Sequence, residues 1–365
     1  MSNRIKKIIF LFSIFSVAIG LACSGQPVGN SGSTTGDNSG GAINLQGAGA
    51  TFPKPIYEKW VSEYQKINPN IKINYQANGS GAGQKAIIEN TSDFGASDDP
   101  MKDEDLANTD ILHIPTVLGA VVLTYNLPDV KEPLKLSADT IAGIYLGSIK
   151  KWNDAKIKAD NPNVNLPDAD ISPVYRADSS GTTAVFTEFL SGANAEWKEK
   201  VGANKQPSWI TGVGSGAKGN DGVTGQVKNI PNSIGYIEIA FAKANNMPLA
   251  LVKNKAGNFV EPTIENVSAA AAGSVASMPD DLRTKITNAD GDQAYPVSSY
   301  TYILVHKDQK DAAKGKALVD FLWWATHDGE KFTKDLHYAP LPDEVVKKAE
   351  AKINSITSGG KPLRQ

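Results

Sequence analysis

One arginine, a carboxylate two residues later and a run of Ser, Gly and Thr stand together at Tyr175-Arg176-Ala177-Asp178-Ser179-Ser180-Gly181-Thr182-Thr183, directly ahead of the apolar run Ala184-Val185-Phe186. Small residues let backbone N–H groups come close to a ligand, and a helix N-terminus carries about half a positive charge. The chemistry this suits is capture of an anion at a helix start. Two further stretches have the same design: Gln46 to Phe52 (QGAGATF), ahead of Pro53 and Pro55, and Asn78 to Gly83 (NGSGAG). Each Gly/Ser loop alone is an ordinary turn. Three of them, each bearing Ser or Thr ahead of a helix, would supply converging N–H and hydroxyl donors. Hydrogen bonds to an ionised group are about twice as strong as neutral ones, so a dianion held this way needs little countercharge. Arg176 gives the fixed cation. Its alternative role is a surface ion pair with Asp178, a contact equally suited to orienting the guanidinium.

Asp98, in Asp93-Phe94-Gly95-Ala96-Ser97-Asp98-Asp99-Pro100, is the informative acid. A carboxylate in an anion site repels its ligand unless the ligand brings a proton. Monohydrogen and dihydrogen phosphate do, and sulfate does not. An acid accepting that proton would reject sulfate by leaving two acceptors facing each other. The competing reading is that Asp98 or Asp99 caps a helix beginning near Met101. Composition leaves these two even.

Enzymatic alternatives lack their parts. There is no G-x-S-x-G elbow and no G-x-x-x-x-G-K-[ST] phosphate loop. His113, His306, His327 and His337 are scattered and the chain has one cysteine, a set without the spacing of a zinc site. His113, beside an apolar strand, reads as a core histidine. Gly47-Ala48-Gly49 lacks the third glycine of a dinucleotide fingerprint. A phosphatase would need a nucleophile with its base or a two-metal site, and neither is present. No catalytic residue, cofactor or metal is therefore expected.

The elements that must carry these loops follow from periodicity. Ile56, Trp60, Tyr64 and Ile67 mark an amphipathic helix started by the prolines. Ile71 to Tyr75 alternates as a strand, and Gln84 to Asn90 reads as the next helix. Asp93 to Pro100 is a short strand that delivers Asp98 to a loop, followed by a helix over Met101 to Leu106. Ile111 to Tyr125 is a continuous apolar run, as in a buried parallel strand. Ile171 to Tyr175 feeds the Arg176 motif, with its helix over Ala184 to Leu190. Val213 to Val223 is a fourth Gly-rich loop. Ile234 to Ile239 and Tyr300 to Val305 read as strands; Ala312 to Ala325, with Leu318, Phe321 and Leu322 inward, and Asp343 to Ile353 read as helices. This alternation predicts an α/β fold with largely parallel sheets. Thr116–Tyr125 and Pro296–Val305 are the candidates for crossing between two lobes.

The 365 residues suit two domains. The formal net charge of −2 becomes −5 once Arg4, Lys6 and Lys7 leave with the first 22 residues. A mildly acidic chain is a poor partner for nucleic acid or an anionic membrane surface. Residues 1–22 have a basic start and the apolar run Ile8 to Ala22, a signal-peptide pattern. Cys23 follows Leu21-Ala22 and resembles the lipobox cysteine of bacterial lipoproteins, although Gly20 stands where Leu is usual. Ser24 to Gly41 is Gly/Ser-rich and reads as a flexible tether.

Taken in order, GAGATFPKPIYEKW (47–60), YQANGSGAGQ (75–84), DFGASDDPM (93–101), IYLGSIKKWND (144–154), RADSSGTT (176–183), KGNDGV (218–223), IGYIE (234–238) and ILVHKDQK (303–310) resemble the phosphate-binding proteins of bacterial phosphate ABC transporters. These are type II periplasmic solute-binding proteins. The resemblance implies a two-lobed α/β fold with two crossover segments and a ligand cleft between lobes. It implies a signal peptide over 1–22, a lipidated Cys23 and tether over 23–42, lobe 1 from 43–123 plus 297–365 and lobe 2 from 124–296. By position it implies phosphate ligands at Ala50, Thr51, Phe52, Ser80, Ser180, Gly181 and Thr182. The proton-accepting carboxylate would be Asp98, and the phosphate-contacting arginine Arg176, braced by Asp178. Two departures stand out: Ser179 where members often have Gly, and Gly81-Ala82 where Ser-Gly is more usual. The expected function is phosphate capture outside the cytoplasmic membrane and delivery to permease and ATPase subunits. The protein would be a monomer held at the periplasmic or cell surface by its lipid. A surface phosphate sensor or adhesion lipoprotein is the alternative.

Overall fold

The computed structural model describes residues 41–364. The signal peptide, Cys23 and most of the tether lie outside them. The chain runs β1 (Ile43–Gly49), α1 (Lys54–Ile67), β2 (Ile71–Ala77), α2 (Ser80–Ile88), β3 (Phe94–Ser97), α3 (Asp103–Leu106) and β4 (Ile111–Tyr125). It continues through β5 (Lys135–Leu136), α4 (Ala138–Leu146), α5 (Ala155–Asp160), β6 (Ser172–Arg176), α6 (Gly181–Ala193), α7 (Ala195–Lys200), β7 (Ser215–Ala217), α8 (Gly219–Asn229), β8 (Ser233–Glu238) and α9 (Ile239–Ala244). It closes with β9 (Leu251–Lys253), β10 (Phe259–Val260), α10 (Ile264–Ala272), β11 (Ser298–His306), α11 (Ala312–Thr326) and α12 (Asp343–Asn354), before a short C-terminal hairpin.

Eight strands form the order β2-β1-β3-β11-β4-β8-β6-β7. The outer pairs are parallel: β1 with β2 and β3, and β6 with β7 and β8. The centre is antiparallel, because β4 runs against both β11 and β8 and β11 runs against β3. The expectation of a parallel β4 is thus wrong. An apolar run reports burial on both faces, and strand direction is set by the chain's path between lobes. β4 changes partner midway: Ile111 to Ala120 pairs with β11, and Val121 to Tyr125 pairs with β8.

Each half of this sheet has an aromatic core. Tyr57 stacks on Trp60 and meets Tyr75 edge-on, and Tyr64 packs on Phe321 and Trp324. On the other side Phe186 stacks on Tyr236, with Tyr145 and Trp197 edge-on to Phe186. Such pairs add about 0.5–1.5 kcal/mol each beyond area burial. Ile56, Trp60 and Tyr64 of α1 are buried as the periodicity predicts, but Ile67 at the helix end is 61% exposed. His113 is a core residue: it is buried, its Nε2 accepts from the Met101 N–H, and burial pulls its pKa down to about 3.

Three helices start earlier than composition suggests. α2 begins at Ser80 and not Gln84, α6 at Gly181 and not Ala184, and α8 at Gly219, within the stretch read as loop. Glycine there serves close packing. A Cβ on Gly83 would lie 2.5 Å from the Ala96 carbonyl oxygen and 2.7 Å from that of Ala48, so α2 lies flush on the β1/β3 edge. The helix expected from Met101 shrinks to Asp103–Leu106 and its N-cap is Lys102, so neither Asp98 nor Asp99 caps it.

Candidate functional site

Four helix starts converge where β1, β3 and β6 end. The N-termini of α1, α2 and α8 have no side-chain cap, and α6 is capped by Ser180, whose Oγ accepts from the Thr183 N–H. First-turn N–H groups left without a partner are donors that an anion satisfies, and the four dipoles add in sign; in α8 those of Gly219 and Asn220 are already taken by Asp178 Oδ1 and Thr51 Oγ1, and in α2 that of Gly81 by Ser179 O. The N–H groups of Thr51 and Phe52 have no acceptor among the described residues. Ala50 differs: its N–H donates to Ala96 O at 3.0 Å and its carbonyl accepts from the Tyr75 hydroxyl at 2.6 Å. It holds Thr51 in place and has no free donor of its own. The Ser180 N–H is likewise engaged, by Lys205 O at 2.8 Å.

Two knots of hydrogen bonds tie the loops together. In the first, the buried Ser80 Oγ accepts from the N–H groups of Gly181 (3.1 Å) and Asp98 (3.3 Å) and reaches Asp98 Oδ2 at 3.3 Å. In the second, Asn220 donates from Nδ2 to Thr51 Oγ1 (2.9 Å) and Thr182 Oγ1 (3.2 Å), while its Oδ1 accepts from the Glu238 N–H. Thr182 Oγ1 also accepts from Arg176 Nη1 at 3.2 Å. The structure therefore gathers Thr51, Ser80, Asp98, Arg176, Gly181 and Thr182 around one point, with Phe52 and Ser180 flanking it.

Arg176 is 2% exposed, which removes the surface ion-pair reading. Asp178 grips it at both ends, Nε to Oδ1 at 2.8 Å and Nη2 to Oδ2 at 2.5 Å, leaving Nη1 for the cleft. Asp178 Oδ1 also accepts from the Gly219 N–H. Burial acts against the Asp178 charge, but these hydrogen bonds and the guanidinium hold its carboxyl below the usual range. The backbone N–H of Arg176 donates to the Tyr236 hydroxyl, which ties this residue's backbone to the aromatic core of its own half.

Asp98 is equally buried, and its Oδ1 accepts from Thr301 Oγ1 at 2.7 Å. Burial pushes its pKa up to about 7, against the opposing pull of Thr301, Arg176 and Ser80. With Asp178 neutralising Arg176, the charge available to an anion is mostly dipolar. Asp98 is then an acid that holds or releases a proton near neutrality.

Asn220 and Thr301 are absent from the residues singled out in the sequence. Asn220 was within reach, since it sits in KGNDGV, a Gly-rich stretch already noted. Thr301 had a fainter signal, a hydroxyl within a continuous apolar strand. The two departures, Ser179 and Gly81, are in contact: the Gly81 N–H donates to Ser179 O at 3.0 Å, and a Cβ on residue 81 would lie 2.5 Å from Ser179 Cβ. Serine at 179 thus requires glycine at 81.

A mixed sheet in which one long strand changes partner, with helix starts meeting beside it, is the layout of a two-lobed type II periplasmic-binding-protein fold, and residues 29–326 match the PBP superfamily domain. The chain is 46% identical over 327 residues to the phosphate-binding protein PstS of Pasteurella multocida, covering 89% of this chain and 94% of that one. It is 38% identical to PstS of Methanocaldococcus jannaschii, over 97% of both chains. The chain belongs to the PstS phosphate-binding protein family. Among solved structures it resembles the high-affinity periplasmic phosphate-binding protein PfluDING bound with phosphate, with a TM-score of 0.69 and 22% identity over 87% of this chain and 97% of that one. It also resembles a phosphate ABC transporter substrate-binding protein of Clostridium perfringens with bound phosphate, with a TM-score of 0.61 and 21% identity over 82% and 100%. At these identities the structural likeness speaks to the fold.

Proposed function

We propose that the protein captures inorganic phosphate between its lobes and delivers it to a phosphate ABC transporter. The ligand would take N–H groups from Thr51 and Phe52, hydroxyls from Thr51, Ser80 and Thr182, and Nη1 of Arg176, with the Gly181 N–H turning to it from Ser80 Oγ and with Ala50, Ser180 and Asp178 holding these donors in place. Asn220 and Thr301 join the set as supports. The observation that carries the reading is Asp98: a buried acid among converging donors suits an anion that brings its own proton. We assign the site no covalent step. Calorimetric titration near pH 9, where Asp98 is mostly ionised, tests it. Phosphate should bind with one site per chain and sulfate should fail to compete; absence of phosphate binding would sink the proposal.

The lobes would be 43–123 with 297–365, and 124–296, closing about β4 and the start of β11. Cross-lobe contacts such as Thr51–Asn220 and the Lys54–Asp221 ion pair at 2.9 Å support a closed arrangement. The closed form would be read by permease and ATPase subunits. Among the described residues no helix is long and apolar enough to cross a membrane. Anchoring would fall to a lipid on Cys23, which mass spectrometry of the membrane-fraction protein would detect. Sedimentation should report a monomer.

A further inference from the structure

Glu238 ends β8 with its side chain fully buried, outside the residues assigned to the ligand. Its Oε2 accepts from the Ala240 N–H at 2.8 Å and lies 3.1 Å from the Tyr338 hydroxyl. Its Oε1 has no hydrogen-bond partner. The same Tyr338 hydroxyl lies 2.6 Å from the Phe52 carbonyl oxygen.

Hydrogen counting decides the protonation. Two oxygens 2.6 Å apart need a hydrogen between them, and a carbonyl has none to give. The single Tyr338 hydrogen is therefore committed to Phe52. Toward Glu238 the Tyr338 oxygen can only accept. An ionised Glu238 would meet it with lone pairs alone, in a site with no cation within hydrogen-bonding reach. The titratable groups facing Glu238 are Tyr338 and, from the end of β3, Asp98, whose negative charge opposes a second one. Gly119 of β4 and the Phe52 ring lie beside Oε1 and bring no charge, and the backbone of Ile239 and Ala240 offers N–H groups only.

We propose that Glu238 is held as the neutral acid, that its Oε2–H donates to Tyr338, and that the relay Glu238 to Tyr338 to Phe52 positions the first ligand loop against the facing lobe. The choice of glutamic acid follows from the geometry. Its hydroxyl oxygen accepts from Ala240 and donates to Tyr338 at one atom, which an amide nitrogen cannot do. Burial pushes the Glu238 carboxyl well above its usual range, in the same direction. The role rests on Phe52 belonging to the phosphate site, but the proton assignment does not.

Infrared spectroscopy of the whole protein at about pH 8, where Asp98 is mostly ionised, tests the assignment. Wild type should show a protonated-carboxyl carbonyl band that is lost in Glu238→Gln. A wild-type spectrum without that band overturns the proposal with no variant required, as does persistence of the band in Glu238→Gln. The positioning role is read from phosphate affinity, which should fall roughly tenfold in Tyr338→Phe for one lost hydrogen bond. Wild-type affinity in that variant overturns the role. If the wild type binds no phosphate, the functional reading fails while the infrared band still decides the proton.

Discussion

Sulfate binding should depend on pH through Asp98, and replacing Asp98 by asparagine should abolish that dependence. Sulfate carries no proton near neutrality, so it fits only molecules whose Asp98 is protonated. Phosphate as the monohydrogen dianion brings its own. With the free carboxyl at about 7, roughly half the molecules hold the proton near pH 7 and about one in a hundred near pH 9. Apparent sulfate affinity should therefore fall roughly fiftyfold across that range, about 2.3 kcal/mol at 1.36 kcal/mol per unit of pKa. Phosphate affinity should stay within a few-fold. In Asp98→Asn, Thr301 Oγ1 still donates to Oδ1, which leaves Nδ2 as a donor toward the cleft. Sulfate should then bind with a flat pH profile and, near pH 9, more tightly than to wild type. The assay is competition calorimetry at three pH values at constant ionic strength. A flat sulfate profile in wild type, or an equally steep one in Asp98→Asn, would refute the reasoning.

Stability of the ligand-free protein should respond to the same acid. A folded-state pKa raised from 3.8 to about 7 means the folded form binds more protons between those values, so stability falls as pH rises through them. The fall is at most about 4 kcal/mol, and urea denaturation of Asp98→Asn should show it reduced. Arg176→Ala should weaken phosphate binding by about 1.5–3 kcal/mol in calorimetry; unchanged affinity would remove Arg176 from the ligand. Gly181→Ala puts a Cβ 2.3 Å from Ser80 Oγ and 2.5 Å from Asp98 Oδ2 across the cleft. It should oppose closure by about 1–3 kcal/mol, lowering affinity with little change in thermal stability. Gly81→Ser should weaken binding alone and recover when combined with Ser179→Gly; additive effects would deny the contact.

Much of the candidate site could be read from the sequence because its residues are grouped locally. Arg176 and Asp178 are two residues apart, Ser180 to Thr182 begin the helix they serve, and Thr51 and Phe52 precede theirs. Periodicity likewise placed β4 and α11 closely. Boundaries failed at Ser80, Gly181 and Gly219, where glycine and serine form first turns: packing across the cleft leaves no room for a side chain at Gly181, and the backbone at Gly219 has a positive φ of 71°. The direction of β4 also failed, since burial on both faces looks alike in parallel and antiparallel strands.

What the sequence by itself determined is the inventory: an arginine with its brace, hydroxyls and small residues ahead of helices, and an acid at the end of a short strand. Only the tertiary structure removed one of the two readings of Asp98, the helix cap. Its two readings, helix cap and proton acceptor, differ in what lies opposite, and Thr301 and Gly181 reach it from 203 and about 80 residues along the chain. The same folding removes water from it, and desolvation is what raises its pKa to about 7, as the proposed discrimination between anions by their protons requires.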